Sequence, residues 1–173
     1  HVAEAHGKRL PEGDTAEARA RGHVLRRMLE EHYHQVFEYE LAVRDEGFAA
    51  LKAMMVGLVP GLLLGPVSSH FRRTFKRHLF ERGIARHSAA EVEAMGRADV
   101  DALVALLGEN DYFLGDEPTK VDASAFGLLA VTIRSGIETP VMQYARTKPT
   151  LVAFVDRVMA RYFPEIAAPR EAA

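Results

Sequence analysis

The sequence predicts an all-α protein, a bundle of about five main helices, on three observations. No stretch of five or more residues alternates strictly between apolar and polar between turn signals. Several stretches instead repeat apolar residues at three-and-four spacing, and Gly, Pro and capping residues mark where those stretches begin and end. With 173 residues, 48% of them hydrophobic, the chain is long enough to bury one substantial core.

Taken in order, His1–Gly7 reads as the tail of a helix that starts upstream, and Pro11, Gly13 and Asp14 break the chain after it. From about Asp14 to Asp45 runs the longest amphipathic pattern, with Leu25, Met28, Leu29, His32, Val36, Tyr39 and Val43 on one stripe. Gly47 is the expected stop, and Phe48–Met55 the expected short helix after it. The longest apolar run, Met54–Val67, falls short of the roughly 20 residues that cross a bilayer and is interrupted by Pro60, Gly61, Gly65 and Pro66. It reads as a punctuated loop lying over the core or over a partner, with no membrane span.

A second helix, from about Pro66 to Arg82, sets Phe71, Phe75, His78 and Leu79 on one side and Arg72, Arg73, Lys76 and Arg77 largely on the others, with Gly83 as its stop. Ser88 and Glu91 form a capping box that opens a third helix, with Val92, Met95, Asp99, Leu103 and Leu106 inward and Gly108 closing it. An unpaired carboxylate on that stripe is costly, so Asp99 is expected to meet an arginine or a hydroxyl. A fourth helix runs from Thr119 to about Gly136. A fifth opens near Pro149 and stops before Pro164, carrying Leu151, Phe154, Val155, Val158, Met159 and Tyr162 on one face. The Ala/Pro/Glu tail after Ile166 reads as frayed.

Composition narrows the function. Twenty-two basic against 24 acidic residues leave a formal charge of -2, so no global field draws the chain to nucleic acid or anionic lipid, and any polyanion is met locally. The best local case is His70–His87, which has six arginines and lysines against Glu81 alone. Without interleaved exposed Trp or Tyr, the solvated amphipathic face is the preferred reading and no nucleic-acid partner is expected. The absence of cysteine removes disulfides, thiolate metal sites and cysteine nucleophiles. No export signal opens the chain, and the cytoplasm is the expected compartment. Eight histidines include no His-x-x-x-His pair, and His32 and His34 diverge on a helix, so no metal site is expected.

The most informative stretch is Phe113-Leu-Gly-Asp-Glu-Pro-Thr-Lys-Val-Asp-Ala-Ser-Ala-Phe-Gly127. Thr119 and Asp122 make a Thr-x-x-Asp capping box, and the helical wheel puts Asp122 on the side of Phe126, Leu129 and Ile133. A buried carboxylate needs donors, which a helix N-terminus supplies, so a structural cap is preferred to a catalytic acid. This turn and capped helix resemble the C-terminal domain of glutathione transferases. Gly83–Ser88, Leu106-Leu107-Gly108, Arg27–His32 and the Pro149…Tyr162-Phe163-Pro164 pattern are similar to the branch of that superfamily containing failed axon connections and metaxin-like proteins.

The resemblance implies three parts: residues 1–10 as the tail of a thioredoxin-like domain, 14–164 as the helical domain, and 165–173 as a frayed tail. It implies no catalytic residue in this chain, since the thiol-activating residue of the family belongs to the upstream domain. It implies glutathione as co-substrate of the intact protein and a hydrophobic electrophile held along the long first helix, by His32, Tyr33, Val36, Tyr39 and Glu40. Buried residues at a helix or subunit interface remain the other reading of those five. A homodimer is expected, because apolar surface on the first helix would be left bare without its docked domain. A non-enzymatic interaction module on the same fold is the alternative function.

Overall fold

A computed structural model describes residues 10–167, and every regular element among them is helical. Thr15 opens the first helix by accepting the Ala18 N–H at 3.0 Å. Helix α1 (Ala16–Arg27) then passes unbroken into a π-helical stretch (Met28–Tyr33) and α2 (His34–Ala42), together the long helix that the stripe predicts. After it come α3 (Asp45–Met54), α4 (Gly61–Arg82), a 3-10 turn (Ile84–Arg86), α5 (Ala89–Leu107), α6 (Lys120–Arg134), α7 (Pro140–Arg146), α8 (Pro149–Tyr162) and α9 (Pro164–Ala167). The long composite helix, α4, α5, α6 and α8 are the five expected main helices. The expected upstream tail lies, apart from Leu10, outside the described residues.

Several local expectations fail for identifiable reasons. Gly47 does not stop the long helix but lies buried inside α3, where a Cβ would overlap the Glu40 carbonyl, so glycine is there for close approach. The stop comes at Ala42, where Arg72 of α4 donates to the carbonyls of Ala42 (3.1 Å) and Val43 (2.7 Å) and to Asp45 (2.6 Å). One of the arginines assigned to a solvated face is therefore a helix C-cap. Helix α4 starts at Gly61, not Pro66, and runs through Pro66, which has no N–H to give to the preceding turn. His78 is exposed rather than grouped with Leu79, Tyr162 is likewise exposed, and α9 is helical where a frayed tail is expected to start.

Helix α5 packs against α2, α7, α8 and the π-helical stretch. Ser88 and Glu91 open it as predicted, with Ser88 N–H donating to Glu91 Oε2 at 2.8 Å. A side chain on its Gly96 would meet Val36 and Val141 at 2.7 Å, which is how closely α2 and α7 approach. Leu29, Val36, Leu79, Val100, Leu103, Leu129, Leu151, Phe154 and Val155 fill the middle with no exposed surface.

Asp122 ties the Asn110–Pro118 turn to this core. It is buried; its Oδ2 accepts from Thr119 N–H and Thr119 O–H, both at 2.7 Å, and its Oδ1 accepts from Phe113 N–H at 2.8 Å. Phe113, held there, packs edge-on against Phe154 of α8 with ring centroids 5.2 Å apart. Deeper in, the Tyr33 hydroxyl meets Thr132 Oγ1 at 3.2 Å, and burial pushes its phenol up to about 12, with the Thr132 bond opposing part of that rise.

Two outcomes follow for stability. Asp122→Ala orphans three donors and is expected to cost on the order of 3–5 kcal/mol in urea unfolding, with Asp122→Asn in between. For Tyr33 the folded phenol holds its proton to about 12 while the unfolded one releases it near 10.0. Its contribution is therefore intact below the unfolded value and lost as pH rises through this window, by roughly 2–3 kcal/mol. Tyr33→Phe should lower stability at neutral pH by about 1 kcal/mol and remove that alkaline decline; an unchanged decline would contradict the assignment.

Candidate functional site

The π-helical stretch decides which polar side chains of the long helix turn outward. Its wider turn, marked by the His34 N–H donating to the Leu29 carbonyl, shifts the phase of the stripe. Tyr33 turns wholly inward, His32 emerges toward α5, and His34 with Glu30 faces α6.

Of the five residues expected to line a substrate cleft, four lie in the interior. Tyr33 and Val36 are core residues, Tyr39 is buried with them, and Glu40 is sealed at 1% exposure. Glu40 is a joint: its Oε2 accepts the Val141 N–H (3.1 Å) in the first turn of α7, and its Oε1 accepts from Arg44 Nε (2.6 Å). Arg44 continues to Glu93 Oε2 and the Ala89 carbonyl, both at 3.1 Å, at the start of α5. His32 and Glu40 therefore do not share a groove, because each pairs with a different neighbouring helix.

His32 alone of the five keeps an exposed side chain, 44% accessible, with Nδ1 2.7 Å from Asp99 Oδ2. The partner of Asp99 is thus a histidine, not the expected arginine or hydroxyl. Burial pushes the Asp99 carboxyl up, and the hydrogen-bonded His32 holds part of that rise back. A carboxylate on Nδ1 sets the neutral ring with its proton there and Nε2 free as an acceptor.

An open face does exist, one helix face further round. Glu30 and His34 face Ala123, Ser124, Gly127 and Leu128 of α6 across a groove of about 300 Å³, with the Ser124 hydroxyl 3.5 Å from Glu30 Oε1. At one end it adjoins a polar recess of about 380 Å³ that adds Glu31, Gln35 and Arg82. At the other, past Ala123, lies a hollow of about 280 Å³ walled by Leu10, Pro118, Phe126, Val158, Tyr162 and Phe163. Phe126 and Phe163 stack there, 5.5 Å apart and 10° from parallel. Thr119 and Asp122 underlie the hollow, but their polar atoms are spent on each other, so its surface is almost wholly apolar.

The sequence reading passes over these residues. Ser124, Phe126 and Gly127 stand in the stretch that carries the resemblance but are read only as helix, and His34 is weighed only as a metal ligand. The available signal is the run of small residues Ala123, Ser124, Ala125 and Gly127, with open space where a Cβ on Gly127 would stand. Chemically the face offers an apolar seat beside an imidazole, a carboxylate and a hydroxyl, and the chain has no thiol of its own.

Comparison with known proteins agrees with this architecture. The family model described as "Glutathione S-transferase, C-terminal domain" matches residues 96–158. The chain is 33% identical over 172 residues to "Failed axon connections" of Drosophila melanogaster, covering 91% of this chain and 41% of that protein. It is 25% identical over 143 residues to "Isoprene-epoxide--glutathione S-transferase" of Rhodococcus sp. (strain AD45), 80% of this chain and 59% of that one. A 71-residue stretch is 38% identical to "Metaxin-1 homolog" of Caenorhabditis briggsae, 37% of this chain and 23% of that one. The chain thus spans about two fifths to three fifths of the first two relatives. No solved structure matches. The capped α6, the all-helical bundle and these similarities make the chain a member of the glutathione transferase superfamily that carries its all-helical C-terminal domain, on the side of failed axon connections and metaxin.

Proposed function

We propose that this domain is the electrophile-side wall of a glutathione-conjugating site, and that glutathione is bound and its thiol activated by a thioredoxin-like part of the protein outside residues 14–164. Conjugation needs two things, a thiolate and an electrophile held within attacking distance. The observation that carries the reading is the apolar hollow around Phe126, Tyr162 and Phe163, which meets the groove of Glu30 and His34 at Ala123. Its volume of about 280 Å³ suits a small molecule. A relative whose name specifies isoprene epoxide and glutathione supports a small apolar epoxide as the electrophile class. Of the five long-helix residues expected to hold the substrate, His32 is the one with an exposed side chain, and His34 lines the groove that adjoins the hollow at Ala123.

A second reading, a non-enzymatic interaction module, is favoured by the 33% identity to failed axon connections and the match to the metaxin-1 homolog. The two readings separate on the intact protein. The transferase reading expects retention on immobilised glutathione and turnover of a small apolar epoxide. Tyr162→Ala, at a half-exposed position, should raise the KM for the epoxide about tenfold while leaving retention on glutathione intact. Glutathione retention without turnover across a panel of apolar epoxides and halides would favour the module.

A further inference from the structure

From Gly47 to Phe80 the chain has no Asp or Glu, yet it carries Lys52, Arg72, Arg73, Lys76 and Arg77, in a protein whose formal charge is -2. Arg72 is consumed by the α2 carbonyls and Asp45. Lys52, His70, Arg73, Lys76 and Arg77 are exposed, and among the described residues Arg73 and Lys76 have no carboxylate within ion-pair distance. At the ends of this stretch Asp45 is engaged with Arg72 at 2.6 Å and Glu81 with Arg77 at 3.9 Å, while Glu46 stands exposed in the first turn of α3.

The same segment holds most of the exposed large aliphatics. Leu62 is 96% exposed, Leu58 83%, and Met54 at the end of α3, Val56 in the turn that follows, and Leu63 and Val67 in the first two turns of α4 are exposed as well. At 100° per residue, Leu62, Ser69, Arg73, Lys76 and Phe80 share one face of α4, with His70 and Arg77 along its flank. All seven are exposed. The helix therefore presents an aliphatic tip at its N-terminal end and a cationic stripe along the side that continues from it.

We propose that the α3–α4 turn and the outward face of α4 form a peripheral binding site for anionic lipid bilayers. Such a surface supplies hydrocarbon for Leu58 and Leu62 to enter and headgroup charge for Arg73, Lys76 and Arg77 to meet. No described helix is long and apolar enough to cross a membrane, so the tip inserts at the interface only. A second copy of this chain fits less well, because a symmetric contact on this face sets two acid-free cationic stripes against each other.

The test is flotation of the full chain with vesicles of phosphatidylcholine alone and of phosphatidylcholine mixed with phosphatidylserine. Binding is expected to the mixed vesicles only, and to be released by salt. Leu58→Glu with Leu62→Glu should abolish it with circular dichroism and melting unchanged, since both positions are exposed. Arg73→Glu with Lys76→Glu should lower partitioning by at least about tenfold. No flotation with the mixed vesicles, equal flotation with neutral ones, or binding unmoved by both double variants overturns the proposal. So does self-association abolished by Leu62→Glu, or retention on duplex DNA, in a protein that ignores vesicles.

Discussion

The constraint on which the rest depends is the buried carboxylate of Asp122. A charge removed from water at that depth must be met by donors, and three converge on it, from Phe113 and Thr119. The bonds join the end of an irregular turn to the first turn of α6, so one group sets both where the turn lies and how α6 enters the bundle. Phe113 then seats against Phe154, and Lys120 N–H closes on the Pro11 carbonyl at 3.0 Å, fixing the incoming chain on the same spot. The groove and the hollow lie on either side of α6, so both inherit their geometry from this cap.

A second tier of polar joints holds helix ends to one another. Glu40 caps α7 and, through Arg44, braces the start of α5; Arg72 closes the end of α2; Asp99 engages His32. Residues that look like ligands on the long helix are thus spent on architecture. The neighbouring face is left open, where Glu30 of the π-helical stretch and His34 at the start of α2 stand opposite α6. Such a stretch gives up regular hydrogen bonding, and here it allows one helix to bury Tyr33 completely while still offering two polar groups to α6.

Much of the bundle is legible in the sequence because its signals are local. The Ser88–Glu91 and Thr119–Asp122 boxes act within one helical turn, and the Leu151–Val158 face repeats within one helix, so no distant residue is needed to recognise them. Gly47 and Pro66 misled for the converse reason. Gly47 is required by the approach of the Glu40 carbonyl, and Pro66 is carried along by a helix whose N-terminal turns lie out in solvent at the tip. The open face was the least legible part, because Ser124 and Gly127 have no periodicity of their own to mark them.

The sequence by itself determined the all-α class, the five main helices, the burial of Asp122 and the family resemblance, since periodicity and capping are properties of neighbours along the chain. Only the tertiary structure decided which polar residues are joints and which face a groove. His32 meets Asp99 across 67 positions, Tyr33 meets Thr132 across 99, and Glu40 meets Val141 across 101. A polar side chain in an apolar stripe must find a partner, but which one it finds depends on helix packing and on the phase shift of one π turn, and neither is written in local spacing.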